Sequence, residues 1–271
     1  MDFPTSFTFD PTGEKLFYLK SIDSSEQPGL KGLYCYNISR SEESLVLSQL
    51  NGPDQEESLE EQLRKQRLRQ MSTGITNYLW SSTGKVLIPS GLDIYILDSV
   101  SERPRLLVSS DDYSCVDPKI SPNGEIVSFV SDGDIHLVSV HGGTPRKLTD
   151  GDPGKTRGLA DYIAQEEMQR ATGYWWSKDS SCIAFTEVDE RMVPNFNIAH
   201  LGKDSFGSEV NELHRYPFAG RTNPDVNLGV VEVDSGDMRW IDTNKYEYIA
   251  RLDWLDGHRI LVQLQDRRQQ K

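Results

Sequence analysis

A strand–turn–strand unit that recurs along the chain constrains the fold more than any other feature of the sequence. In each unit, short apolar segments flank a polar turn, and these turns lie at 10–13, 81–84, 121–124, 177–180 and 255–257. Asp, Asn, Ser, Pro and Gly at such positions are typical of turns between antiparallel strands. The clearer units continue into third and fourth strands, as in GDIHLVSV at 133–140. Four short strands repeating at about 40 residues or more are typical of β-propeller blades. The sequence therefore predicts an all-β fold, an incomplete propeller over residues 1–271.

Two segments interrupt this repeat with helical patterns. The first, near 54–71, has acidic residues in its first turns and basic residues at its end, an order that complements the helix dipole. Its apolar stripe is thin, which is typical of a solvated helix on the surface. The second, near 161–172, begins at Asp161, a suitable N-cap, and we expect it to stop at Gly173.

The second insert carries two adjacent glutamates, Glu166 and Glu167. On a continuous helix, Glu167 would share a face with the apolar residues Ile163, Ala164, Met168 and Ala171. A carboxylate there is costly unless a partner or ligand satisfies it, and two neighbouring carboxylates favour one cation. The alternative interpretation is that Glu166 pairs with Arg170 on the same helix and that Glu167 is solvated at the edge of the stripe.

The net charge, the apolar content and the cysteines limit which partners and which cellular compartment suit this chain. The chain has 271 residues with 36% hydrophobic and 26% charged residues, and its net charge is −13. Such acidity repels phosphate backbones, which disfavours nucleic acid and anionic membranes, whereas it suits a cationic ligand or serves solubility alone. No apolar run reaches bilayer length, and from residues 1–10 we expect no secretory signal. The three widely spaced cysteines are expected to pack as reduced thiols, so we predict a cytoplasmic protein.

The sequence lacks self-sufficient catalytic chemistry. It contains no GxSxG motif, no phosphate-binding loop and no GxGxxG motif. None of its five histidines has metal-ligand spacing with another His or Cys. We therefore expect no catalytic residues, no metal and no cofactor in this chain.

Three segments carry a resemblance to a known family. Residues 158–190, GLADYIAQEEMQRATGYWWSKDSSCIAFTEVDE, resemble the dipeptidyl peptidase IV branch of the prolyl oligopeptidase family of serine peptidases. The loop HRYPFAGRTNP at 214–224 is similar to a second motif of that branch. The segment RKQRLRQMSTGITNY at 64–78 is similar to the arginine-bearing segment of its dipeptidyl peptidase 8 and 9 subgroup.

The resemblance implies roles for four residues. Glu166 and Glu167 would bind the free α-amino group of a peptide substrate, and Arg69, or alternatively Arg67, would bind the carbonyl oxygen of its second residue. Anchoring the N-terminus in this way would place the scissile bond after two residues, so that dipeptides are released. The resemblance implies that these dipeptides are X-Pro or X-Ala. The implied partners are peptides with a free N-terminus, the hydrolase domain of the full-length protein and a second copy in a homodimer.

The sequence differs from this family in lacking a recognisable catalytic domain. The family combines an eight-bladed propeller with an α/β-hydrolase domain that carries the catalytic Ser, Asp and His, and we expect that domain to be absent from this chain. The length supplies about five or six blades. We therefore predict the substrate-binding and gating propeller part of a serine dipeptidyl peptidase, inactive as this chain alone and in the nature of a truncated fragment. The alternative is a non-catalytic propeller module or truncated isoform that binds a partner protein.

Overall fold

A computed structural model describes most of the chain, and its strands form a series of antiparallel sheets. The described residues are 3–22, 29–48, 50, 67, 73–100, 102–199, 211–243 and 246–270. The first predicted insert, near 54–71, lies outside these residues except for Arg67, and Arg69 lies outside them as well.

The first three sheets each contain four antiparallel strands in sequence order, with one short parallel strand added to the first sheet. The first sheet consists of β1 (Thr5–Phe9), β2 (Lys15–Ser21), β3 (Leu30–Asn37) and β4 (Glu42–Leu47), with β5 (Thr73–Gly74) beside β3. The second consists of β6 (Leu79–Trp80), β7 (Val86–Ser90), β8 (Asp93–Leu97) and β9 (Arg105–Val108). The third consists of β10 (Val116–Ile120), β11 (Ile126–Ser131), β12 (Asp134–Ser139) and β13 (Arg146–Lys147).

The fourth sheet is interrupted by the second insert, and a fifth sheet begins after it. Along the chain, the fourth sheet and its insertions contain β14 (Lys155–Arg157), helix α1 (Tyr162–Glu166), β15 (Tyr174–Trp176), β16 (Cys182–Asp189), β17 (Asn195–Ala199), β18 (Asn211–Arg215), β19 (Asp225–Glu232) and β20 (Met238–Ile241). Strands β17 and β18 form a separate hairpin. The fifth sheet consists of β21 (Tyr248–Trp254) and β22 (Ile260–Gln265).

The turns predicted from the sequence are confirmed, and they share one geometry. In the first four, the fourth residue of the turn donates its N–H to the carbonyl of the first, at 2.8–3.2 Å. That fourth residue has a left-handed backbone in each case, and it is Gly13, Gly84, Gly124 or Ser180. A left-handed residue at the end of the turn suits the twist of antiparallel strands. Glycine adopts this backbone without steric cost, which explains why three of the four positions carry it. The turn at 255–257 likewise joins β21 to β22.

The hydrophobic core lies between successive sheets rather than inside any one of them. One cluster joins the first and second sheets through residues such as Phe17 and Ile88. A second cluster joins the second and third sheets, and a third joins the third and fourth around Tyr174 and Phe185. A fourth cluster joins the fourth sheet to Trp254 of the fifth. Sheets stacked face to face through such layers are propeller blades. In the described ranges there are five blades, the last two-stranded, and they do not close into a ring.

Two smaller observations complete the fold. Cys35, Cys115 and Cys182 are buried free thiols, as predicted. Across the described ranges, no helix combines the length and the apolar character that crossing a bilayer requires.

Candidate functional site

The second insert leaves the fourth blade and returns to it at a single residue of β16. Strands β14 and β15 pair with the same edge of β16, one at each of its ends. Between them, Gly158 donates its N–H to the Thr186 carbonyl at 2.9 Å, and Thr186 donates its own N–H to the Gly173 carbonyl at 2.8 Å. The innermost strand of the blade is therefore divided, and residues 158–173 form a loop with closely held ends.

Helix α1 is shorter than the sequence predicted. Its predicted N-cap is confirmed, because the Asp161 carboxylate accepts a hydrogen bond of 3.0 Å from the Ala164 N–H. The helix ends at Glu166, however, and the prediction that it continues to Gly173 is wrong. Gln169 has a left-handed backbone, and the Arg170 N–H donates back to the Ala164 carbonyl at 2.8 Å, which ends the helix.

This early ending changes where the two glutamates lie. Ile163, Ala164 and Met168 pack beside β21, as the apolar stripe predicted, but Glu167 does not belong to that stripe. Glu166 is the last residue of the helix, Glu167 is its C-cap, and both side chains are exposed. Two carboxylates thus stand side by side at the free end of a short helix, where a cation can approach both.

Arg67 is the basic residue that the structure brings to this pair. Its Nε lies 4.0 Å from Glu166 Oε1, and its guanidinium lies 5.0 Å from the centre of the Tyr162 ring. Burial lowers the pKa of Arg67, and the negative charge of Glu166 is the largest effect that opposes this shift. Arg67 therefore remains a charged donor next to Glu166. Of the two arginines considered from the sequence, Arg67 is the one whose position is described.

Arg170 does not pair with Glu166, so that part of the alternative interpretation is wrong, whereas its other part is confirmed because Glu167 is exposed. The buried Arg170 guanidinium donates from Nε to the Ile249 carbonyl at 3.0 Å and from Nη1 to the Thr172 carbonyl at 2.7 Å. Its Nη2 lies 3.4 Å from Asp161 Oδ2. Arg170 thus ties the N-cap of α1 to the fifth blade, which fixes the direction in which the helix presents the glutamates.

The segment at 214–224, matched by resemblance, lies against the same helix. The Tyr216 ring is 5.1 Å from the Tyr162 ring, edge to face. Asn223 donates from Nδ2 to Glu247 Oε1 at 2.6 Å and to the Tyr248 hydroxyl at 3.0 Å, which joins the loop to the start of the fifth blade. The structure therefore brings the 214–224 loop, and Arg67 from the segment at 64–78, to α1.

A cavity of about 260 Å³ opens behind the glutamates, between α1 and hairpin strand β18. Its charged lining residues are Arg67, Asp161, Glu190 and Arg215. Burial raises the pKa of Glu190, and the negative charge of Asp161 acts in the same direction. Glu190 and Arg215 lie within the segments at 158–190 and 214–224 that carry the resemblance, but the sequence analysis gave neither residue a role. Among the described residues, no group of three or more His, Cys, Asp or Glu side chains is placed to hold a metal ion.

Comparisons with known proteins agree on one family. The sequence profile of the family described as "Dipeptidyl peptidase IV (DPP IV) N-terminal region" matches residues 77–271. Human dipeptidyl peptidase 8 is 27% identical over 238 residues, which cover 73% of this chain and 26% of that protein. A probable dipeptidyl-aminopeptidase B of Talaromyces stipitatus is 32% identical over 159 residues, covering 52% of this chain and 18% of that protein.

Similarity in structure extends over almost the whole chain. The crystal structure of Porphyromonas gingivalis dipeptidyl peptidase 4 superposes with a TM-score of 0.71 at 20% sequence identity. The match covers 96% of this chain and 36% of that one. At this identity the match establishes the fold, and it is the propeller fold. The chain spans about a quarter or less of the length of the curated relatives described above, 26% and 18%.

Proposed function

The chain belongs to the family of dipeptidyl peptidase IV N-terminal regions, and from this membership we propose that it anchors peptide N-termini for a serine dipeptidyl peptidase. In this proposal it is the substrate-binding and gating propeller part of an enzyme that releases X-Pro or X-Ala dipeptides. The proposal assigns substrate anchoring, and not bond cleavage, to these 271 residues.

The placement of Glu166 and Glu167 carries this proposal. Both carboxylates are exposed at the end of a helix whose start is fixed by the Asp161 cap and by Arg170. A peptide ammonium has three N–H donors and can bind both carboxylates at once. A rigid anchor of this kind sets the distance from the N-terminus to the reacting carbonyl, so that binding energy is used for positioning.

Arg67 supplies the second contact in the proposal. A guanidinium that is held near Glu166 and packed on Tyr162 has N–H groups left to donate to a peptide carbonyl oxygen. The ammonium contact and the carbonyl contact together would fix the first two residues of the substrate. Arg69 remains the alternative donor that the resemblance allows.

Peptide binding by the purified chain tests the anchor. Isothermal titration with the tripeptide Ala-Pro-Ala and with its N-acetylated form measures how much affinity the free amine provides. We expect Glu166→Gln or Glu167→Gln to weaken binding of the free-amine peptide by about tenfold or more, because each removes a charge-assisted contact. Glu125→Gln is the matched control, since it removes an exposed carboxylate on the third blade. Equal affinity for the free and acetylated peptides would contradict the anchor.

A second function, an interaction module, is favoured by the surface of hairpin β17–β18. Phe196 and Leu213 are 44% and 66% exposed on this hairpin, and Phe196 joins an aromatic cluster with Tyr216 and Phe218. Exposed apolar clusters commonly mark protein-binding surfaces. Sedimentation of the chain alone and with a full-length dipeptidyl peptidase subunit tests this function, and a monomer in both experiments would argue against it.

Cellular context is part of the same proposal. We place the full-length protein in the cytoplasm as a homodimer, and the three buried free thiols are in keeping with a reducing compartment. Fractionation of cells and sedimentation of the full-length protein test these two statements separately.

A further inference from the structure

Glu190 is a charged residue in the cavity behind the glutamate pair for which the fold itself gives no reason. It directly follows β16, and its side chain is half-buried. Its backbone carbonyl accepts the N–H of Val193 at 2.9 Å, but across the described ranges its carboxylate has no hydrogen bond or ion pair. A half-buried carboxylate without a partner loses part of its hydration without compensation, so its presence calls for a role in the cavity.

The other acid and one of the bases that line the cavity are engaged elsewhere. The Asp161 carboxylate caps α1 and pairs with Arg170. Arg215 donates from Nη1 to the Val193 carbonyl at 2.7 Å. Arg67 lies near two carboxylates. Its Nε is 4.0 Å from Glu166 Oε1, and it lines the cavity together with Glu190. The negative charges of Glu166 and then Glu190 are the two strongest effects that oppose the lowering of the Arg67 pKa by burial.

Substrate binding would disturb this arrangement. A peptide ammonium and the Arg67 guanidinium are like charges, and both are drawn to the Glu166 carboxylate. When the ammonium occupies Glu166, the guanidinium loses its nearest anion and is repelled by the new charge. A second carboxylate in the same cavity would still attract the guanidinium and keep it in place.

We propose that Glu190 is a positioning residue that holds Arg67 beside the substrate when the peptide ammonium takes Glu166. This inference rests on the proposed anchoring function and adds a residue to it. Glu190 does not touch the substrate and acts only through Arg67. Its effect must therefore disappear when Arg67 can no longer pair with it.

A set of variants of the whole chain tests this role by titration with Ala-Pro-Ala. Glu190→Gln is expected to weaken binding about tenfold, within the usual range of coupling between neighbouring sites. Asp189→Asn is the matched control, because it removes the same charge one residue away, from a side chain that pairs with Arg191 outside the cavity. The control is expected to stay within about twofold of the unsubstituted chain, because Asp189 does not line the cavity and its charge is paired with Arg191.

A double-variant cycle separates positioning from a general charge effect. In an Arg67→Gln background, Glu190→Gln is expected to cause no further loss, since residues that act through one another are not additive. A full additional loss in that background would overturn the proposal, as would equal affinities of Glu190→Gln and Asp189→Asn. Loss of binding in Glu190→Gln together with unchanged binding in Glu166→Gln would refute the anchoring function instead.

A measurement on the unsubstituted chain keeps the proposal testable if Glu190→Gln fails to fold. The NMR signal of the Arg67 Nε–H, assigned by its loss in Arg67→Lys, is expected to shift but to persist when propylammonium, which has the amine charge but no carbonyl oxygen, is added to saturation. Persistence means that the guanidinium has an acceptor once Glu166 is occupied. Broadening to the exchange rate of a free arginine would overturn the positioning role.

Discussion

Replacement of Arg170 by methionine tests whether the glutamate pair is held in place by a buried ion. The Arg170 and Asp161 side chains are 4% and 8% exposed, and their charged groups are 3.4 Å apart. The guanidinium also donates to the carbonyl oxygens of Ile249 and Thr172. Arg170→Met therefore leaves one buried carboxylate without its counter-ion and two carbonyl oxygens without a donor.

The magnitude follows from those contacts. Removing one member of a buried ion pair costs about 3–5 kcal/mol. Each carbonyl that loses a donor without gaining water adds up to about 1–3 kcal/mol, but these costs overlap. We expect the free energy of unfolding to fall by about 4 kcal/mol. Arg170→Met with Asp161→Asn is expected to recover about 1–2 kcal/mol, because it removes the buried charge and keeps an oxygen that caps α1.

Urea denaturation followed by far-UV circular dichroism measures these differences. Arg191→Met is the control, since Arg191 also pairs with an aspartate of the fourth blade but is 55% exposed. Its aspartate, Asp189, is 17% exposed, so this pair is partly solvated and is expected to contribute about 1 kcal/mol. If Arg170→Met and Arg191→Met differed by less than about 1 kcal/mol, the buried ion pair would not be what fixes the insert.

Three further predictions concern the same region. A Cβ at Gly173 would lie 2.3 Å from the backbone carbon of Leu159, so Gly173→Ala is expected to cost about 1–3 kcal/mol in a urea titration, and an unchanged midpoint would refute the close backbone contact. The buried Tyr174 hydroxyl donates to the Asp117 carbonyl at 2.6 Å, so Tyr174→Phe is expected to lower the unfolding free energy by about 1–2 kcal/mol, and a neutral effect would count against that hydrogen bond. Because burial raises the pKa of Glu190 above its unfolded value, the charged form opposes folding, and Glu190→Gln is expected to raise the melting temperature at pH 7.5. That advantage is expected to shrink as the pH falls through the raised pKa, where the folded wild type takes up the proton, and an advantage that grew toward pH 5 would reverse the sign of this argument.

The blades could be predicted from the sequence because their signals are local. Each turn is specified by four or fewer residues, and the flanking apolar segments reveal the strands regardless of what packs on them. The N-cap of α1 was predictable for the same reason, since Asp161 and Ala164 are three residues apart. The division of the innermost strand was not predictable, because β14 and β15 are joined only through their common partner β16.

The site was less predictable because its contacts join distant segments. The apolar spacing from Ile163 to Ala171 indicates a continuing helix. The helix instead ends before Arg170, whose side chain donates to the Ile249 carbonyl, 79 residues further along the chain. The resemblance indicated the glutamate pair and two arginines, yet only folding shows that Arg67 reaches Glu166. The role of Glu190 could not be predicted from a local motif, because the residues that line the cavity with it come from four separate parts of the chain.

The divided inner strand of the fourth blade also bears on how such a protein changes its specificity over evolution. Residues 158–173 leave and rejoin the sheet on either side of Thr186, so the blade keeps its register whatever the detour contains. Apart from residues such as Arg170 and Gly173 that tie the detour to the blades, its residues can be exchanged, lengthened or shortened at constant architecture, provided that the two ends still meet. A propeller built in this way can acquire a new recognition element as a graft, while the surrounding scaffold remains under separate selection for stability.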